Sequence, residues 1–183
     1  MKKLFIAVLL ISISTTSFTQ EKLKTTSGHI KFFSTTPAED IEANNYKVTS
    51  NLTSSTGVVV FSVPMQSFEF KKALMQKHYN SKKFLNTKKF PKAKFKGNIT
   101  NLSAINFFKD GSYTADVSGD LTIHGITKKV SEKMMFVVKN GTVTGTTTFN
   151  ITLADYGIEF TKGKPSKNIA KDVKITAALN YSK

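Results

Sequence analysis

The stretch Tyr113–Ile123, YTADVSGDLTI, followed by His124-Gly125, decides how the rest of the chain is read. Tyr113, Ala115, Val117, Gly119, Leu121 and Ile123 fall on one face; Thr114, Asp116, Ser118, Asp120 and Thr122 fall on the other. An unbroken period of two is the mark of a strand with one face buried. His124-Gly125 then stands where a two-residue hairpin turn would stand, with a new apolar run beginning at Ile126.

The same rhythm extends outward in both directions. Upstream, Ala93, Phe95, Gly97 and Ile99 share a face, with Lys92, Lys94 and Lys96 opposite. Downstream, Val130, Met134, Phe136 and Val138 give a strand blemished by Glu132, and Asn140-Gly141 marks another tight turn. Val143, Gly145, Thr147, Phe149, Ile151 and Leu153 alternate again, as do Val173, Ile175, Ala177, Leu179 and Tyr181. Tyr46, Val48 and Leu52 alternate with Lys47, Thr49 and Asn51. A Val-rich run from Val58 to Val63 and a short one around Ile30 and Phe32 bring the total to about eight strands. Ser54–Gly57 and Lys109-Asp110-Gly111 read as stops, and Gly163–Lys167 as an exposed loop. Such close spacing favours sequential antiparallel pairing, in a barrel or a sandwich.

Two segments depart from alternation. Lys71–Tyr79 is rich in helix formers, with Leu74 and His78 at i, i+4 spacing, and Pro91 stops any helix before the Phe95 strand. Thr36-Pro37 followed by Glu39 and Asp40 has the form of a helix start, with a hydroxyl cap, a first-turn proline and acids behind it.

Composition removes several classes of function. The 183 residues include no Cys, so disulfides, thiolate metal sites and a cysteine nucleophile are excluded. All the basic residues are Lys, which lacks the bidentate fork that guanidinium recognition needs. The three His, at 29, 78 and 124, form no metal-ligand or catalytic spacing; no phosphate loop, nucleophile elbow or cofactor motif occurs. His124 suits a left-handed turn position, while His78 either satisfies nearby backbone or reaches a ligand head group. Asp155-Tyr156 is a polar pair with no mapped partner, so no catalytic residues are assigned.

At the amino terminus Lys2 and Lys3 precede the uncharged stretch Leu4–Ile13, and small and hydroxyl residues lead to Ser17-Phe18-Thr19. These are the three parts of a secretory signal peptide, with cleavage expected after Thr19. The domain proper is then residues 20–183. The formal net charge is +15, and Lys71–Lys96 holds ten Lys and no acid, with Tyr79, Phe84, Phe90 and Phe95 interleaved. Export argues against nucleic acid as the partner. A solvated lysine face or a collar for anionic lipid heads accounts for the run.

The small residues Ala93, Gly97, Ala115, Gly119, Gly145 and Ala177 sit on the inward faces. They either relieve crowding between strands or leave an apolar tunnel, since an eight-stranded barrel is just wide enough to be filled or to hold one small ligand.

Three stretches resemble the motifs of the YceI-like family. His78-Tyr79-Asn80, Lys83–Asn86 and Lys89–Gly97 look like its helix-to-strand motif; Gly119–Lys128, GDLTIHGITK, resembles its most distinctive signature; and Leu153–Ile158, LADYGI, resembles its third. Order and spacing agree over about residues 28–182. Gly28–Phe32 is only a loose echo of the family's usual first strand.

The resemblance implies an all-β, lipocalin-like barrel of eight antiparallel strands with one or two short helices. It implies a non-enzymatic, exported, periplasmic protein of a Gram-negative bacterium that holds a polyisoprenoid lipid or isoprenoid quinone inside the barrel. On that reading Phe95, Gly97, Ile99, Val117, Gly119, Leu121, Phe149 and Leu179 form the apolar wall, and Leu74, His78 and Phe84 a mouth or lid. A phenylalanine at Gly97 or Gly119 is then expected to block the tunnel. An anionic membrane surface and a second copy of the chain, paired through a sheet edge as a homodimer, are the further partners considered. The rival to lipid carriage is an envelope stress or interaction module docking on membrane through its Lys face.

Overall fold

The computed structural model describes residues 21–160, 163 and 165–182. The expected signal peptide lies outside them. In chain order the elements are β1 (Lys22–Thr35), β2 (Asp40–Thr53), β3 (Val58–Pro64), β4 (Glu69–Phe70), α1 (Ala73–Asn80), β5 (Lys92–Ile99), β6 (Gly111–Ile123), β7 (Ile126–Lys139), β8 (Thr142–Thr152), the single turn α2 (Pro165–Asn168) and β9 (Asp172–Tyr181). Eight strands pair antiparallel in the cycle β1-β2-β3-β5-β6-β7-β8-β9, and β9 returns to β1, so the sheet closes into a barrel. The two-residue β4 hangs on β2.

Tight turns set the register. His124 and Gly125 have φ of 52° and 81°, and Asn140 and Gly141 50° and 74°. Positive φ at both central residues is the geometry of a turn whose twist matches the flanking strands. Accordingly Ile123 pairs with Ile126, and Lys139 with Thr142.

Four local expectations are corrected. Thr36-Pro37 starts no helix: it makes the β1–β2 turn, where the Thr36 hydroxyl accepts hydrogen bonds from the backbone N–H groups of Ala38 and Glu39 at 3.3 and 3.2 Å. A hydroxyl ahead of two free N–H groups serves a turn as well as a helix cap. The short run at Ile30 and Phe32 belongs to a 14-residue strand, β1. Its alternation was hidden because register shifts beside Gly28 move the inward set from Leu23 and Thr25 to Gly28, Ile30 and Phe32. Tyr46 does not share the face of Val48 and Leu52; it is exposed at a matching irregularity of β2, its ring stacked 4.5 Å from that of His29. Buried Asn45 holds this bulge, donating to the Pro64 carbonyl and accepting from Lys47 N–H. Finally, Pro165–Asn168, within the expected loop, forms the turn of α2.

The interior divides into two halves. At the end where β6 begins and β9 finishes, Leu23, Leu52, Val59, Phe136, Val143 and Leu179 are buried against one another. Phe107, from the β5–β6 connection, stops this end edge-on to Phe136 at 5.2 Å. At the opposite end the chain leaves β3 at Pro64 and rejoins its partner β5 at Lys92, and residues 65–91 fold over the opening as a cap that carries α1.

Candidate functional site

Beneath that cap lies a cavity of about 800 Å³, within the range of small-molecule sites. Ile30 and Phe32 of β1, Leu121 and Ile123 of β6, Phe149 and Ile151 of β8, and Val173 and Ile175 of β9 form its walls, with the paired Val63 and Ala93 lining it beside the cap. The cap contributes Met65, Phe68, Phe70, Met75, Tyr79, Phe84 and Leu85. The lining also includes the exposed residues Lys72, Leu74, His78 and Lys83, so the cavity reaches the surface beside α1. Leu74 is 63% exposed at the edge of this apolar chamber.

Of the residues expected at the wall, Leu121 and Phe149 border the cavity, as do all three expected at the mouth, Leu74, His78 and Phe84. Phe95, Gly97, Ile99, Val117, Gly119 and Leu179 lie outside its lining. Ile99, Val117 and Leu179 belong to the packed core, and Phe95 sits edge-on to Phe61 at 5.9 Å. Gly97 and Gly119 face each other across β5 and β6. A Cβ on Gly97 would meet the Ser118 carbonyl and come within 2.9 Å of the Gly119 Cα; one on Gly119 would meet Lys96 O and the Gly97 Cα. Their role is close strand approach, so a phenylalanine there strikes backbone rather than filling a tunnel.

The lining also draws on residues outside the expected set: those of β1, the Phe68 and Phe70 pair, and a wall segment from the third motif. Strands β7 and β8 pair only over Met135–Lys139 and Thr142–Thr146, then part. The turn at Leu153–Tyr156 and the residues after it settle near the parting: Tyr156 and Ile158 are buried, and the His124 ring Nδ1 lies 3.2 Å from the Tyr156 carbonyl. Gly157, at φ 65°, caps the turn against the Ile126 side chain. Asp155 points outward, 3.9 Å from Lys128, so Asp155-Tyr156 is a structural pair. Glu132, the blemish of β7, has no ion-pair partner among the described residues, and burial holds its carboxyl above the usual range.

Polar groups near the chamber serve to fasten the cap. Glu39, in the β1–β2 turn, accepts from Asn168 Nδ2 at 2.8 Å and from Lys72 Nζ at 3.1 Å, joining that turn to α2 and to the residue preceding α1. These bonds, Asn168 first, hold its carboxyl below the usual range. Within the cap itself, at the carboxyl end of α1, the Thr87 hydroxyl donates to Asn80 Oδ1 at 2.7 Å.

A family model described as the YceI-like domain matches residues 11–181. A UPF0312 protein of Pseudomonas fluorescens is 48% identical over 61 residues, which cover 33% of this chain and 30% of that protein. A UPF0312 protein of Pseudomonas putida is 36% identical over 107 residues, 54% of this chain and 50% of that one. The chain thus spans half the length of these relatives or less. Among solved structures, a polyisoprenoid binding domain from Saccharophagus degradans implicated in plant cell wall breakdown superposes with a TM-score of 0.74 at 14% identity, over 88% of this chain and 97% of that one. BcnA of Burkholderia cenocepacia gives 0.69 at 17% identity, over 85% and 96%. At such identities the likeness concerns the fold.

Proposed function

The chain belongs to the YceI-like domain family, and on that premise we propose that it is an exported lipid-binding protein. It holds a polyisoprenoid or isoprenoid quinone in the barrel, for carriage or storage, and acts as a binding protein rather than an enzyme. The observation that carries this reading is the apolar chamber under the α1 cap, hollow on one side of a barrel whose other side is packed solid. A tail that leaves several hundred square ångströms of water contact gains on the order of 10 kcal/mol gross. Ordering costs reduce the net affinity well below that. Export to the periplasm is supported by Lys2, Lys3 and the apolar stretch Leu4–Ile13.

A specific feature favours a membrane surface as a second partner. Exposed Leu74 stands at the chamber's opening on a cap that also exposes Lys71, Lys72, Lys77, Lys82 and Lys83. An apolar tip within a cationic collar suits an anionic bilayer, from which a lipid would enter the barrel without crossing water. Barrel closure leaves a homodimer few strand edges to pair through besides the parted stretches of β7 and β8.

The test is native mass spectrometry of protein purified from its own envelope, followed by solvent extraction. A stoichiometric isoprenoid is expected. A barrel that is empty and takes up neither added quinones nor polyprenols overturns the lipid reading. For the membrane contact, flotation with anionic vesicles is expected to decline at high salt and on K77Q/K82Q/K83Q; salt-independent flotation removes it.

A further inference from the structure

Tyr79 is the only buried side chain of α1, and it packs among phenylalanines. Its ring centroid lies 5.0 Å from that of Phe70, 5.7 Å from Phe68, 5.9 Å from Phe32 and 6.1 Å from Phe84. Tyr79 and all four of these rings border the cavity. The Tyr79 hydroxyl is sealed from water and has no hydrogen-bond partner among the described residues. Burial also pushes its pKa well up, so it stays protonated and able to donate.

A buried hydroxyl left unpaired is costly, and a fifth phenylalanine would avoid the cost while filling nearly the same space. In a chamber that held only hydrocarbon, the oxygen would be a pure liability. It becomes useful where the occupant brings an acceptor. We propose that Tyr79 donates the hydrogen bond that selects the bound lipid, an isoprenoid whose neutral head carries an oxygen acceptor, as a quinone carbonyl does, in preference to a hydrocarbon of similar bulk. The head then sits under the cap with its tail running toward Leu121 and Phe149. A charged phosphate is disfavoured at this spot, since phenylalanine rings offer nothing for its lost hydration. The hydroxyl is sealed among the rings, so the oxygen reaches it by displacing ring contacts, and the hydroxyl gives up no protein hydrogen bond to receive it. This inference rests on the lipid-binding reading above.

The test compares wild type and Tyr79→Phe with two probes: ubiquinone of four isoprene units, and squalene, an isoprenoid without oxygen. Tyr79→Phe is expected to bind the quinone about 3- to 10-fold more weakly and squalene unchanged. In the infrared, a carbonyl stretch of the bound quinone is expected to lie at lower frequency in wild type and to return toward its free position in the variant. Equal quinone affinity and the same carbonyl frequency in both proteins overturn the inference, as does an equal loss for both probes, which would give Tyr79 a packing role alone. Wild type that takes up neither probe overturns the lipid reading itself.

Discussion

Gly97 and Gly119 show how a missing side chain can carry structure. They are cross-strand partners, and each backbone occupies the space a neighbouring Cβ would need. Gly145 also faces inward, but a Cβ there would press on the Met134 methyl and the Phe136 ring, side-chain atoms rather than backbone. Backbone in a closed barrel cannot withdraw without breaking its ladder, whereas a methionine end can turn aside. Gly97→Ala and Gly119→Ala are therefore expected to cost about 1–3 kcal/mol each and Gly145→Ala less, read as shifts in the denaturation midpoint. Equal costs at all three would mean that β5 and β6 have room to separate. The six small inward residues were visible in the sequence; their meaning was not. Alternation reports which face a residue takes and carries nothing about how near the next strand stands. For the same reason Leu121 and Leu179 looked alike in sequence, although one borders the hollow and the other is in the solid core.

At the scale of elements, strands β5 to β9 and the two hairpins joining β6, β7 and β8 were legible, because alternation, blemished only at Glu132, and the His124-Gly125 and Asn140-Gly141 turns each point to one geometry. The β1–β2 hairpin was the hardest to read. Bulges at Gly28 and Tyr46 break the period, and the Thr36-Pro37 signal is shared by turns and helix starts. Its Glu39 is also what fastens the cap. α1 has eight residues, no side-chain N-cap bond and one buried side chain, so little of its stability is its own. Glu39, bonded to Asn168 and Lys72, has a lowered pKa. Such a carboxylate contributes its full share above the pKa it would have when unfolded, and that share disappears as pH falls through the lowered folded value. Amide exchange of α1, corrected for its intrinsic pH dependence, is thus expected to be steady from neutral pH to the ordinary Glu range and to quicken below it. In Glu39→Gln the added protection at neutral pH is expected to be absent. A wild-type cap with the same exchange as Glu39→Gln at every pH would remove Glu39 as its fastening.

At the scale of the whole molecule, one sheet encloses two interiors with different tasks, and the difference is measurable. Phe136 is fully buried, edge-on to Phe107 and 6.3 Å from Tyr181. Removing its ring opens a void that the surrounding strands cannot close, and Phe136→Ala is expected to cost about 3–5 kcal/mol. Phe149, on the cavity wall, already lacks partner atoms on one side, so Phe149→Ala should lie below that range and enlarge a void that exists. Addition should reverse the pattern. Ala93 borders the chamber from β5, and Ala93→Phe is expected to place a ring in open space, keeping the denaturation midpoint near wild type while lowering lipid uptake. The same enlargement in the packed half would be overpacking, at about 1–3 kcal/mol. Midpoints for the three variants, with uptake of the ubiquinone probe, therefore separate the halves. If Phe149→Ala costs as much as Phe136→Ala, and Ala93→Phe destabilises without reducing uptake, the barrel is one continuous core and the site lies elsewhere.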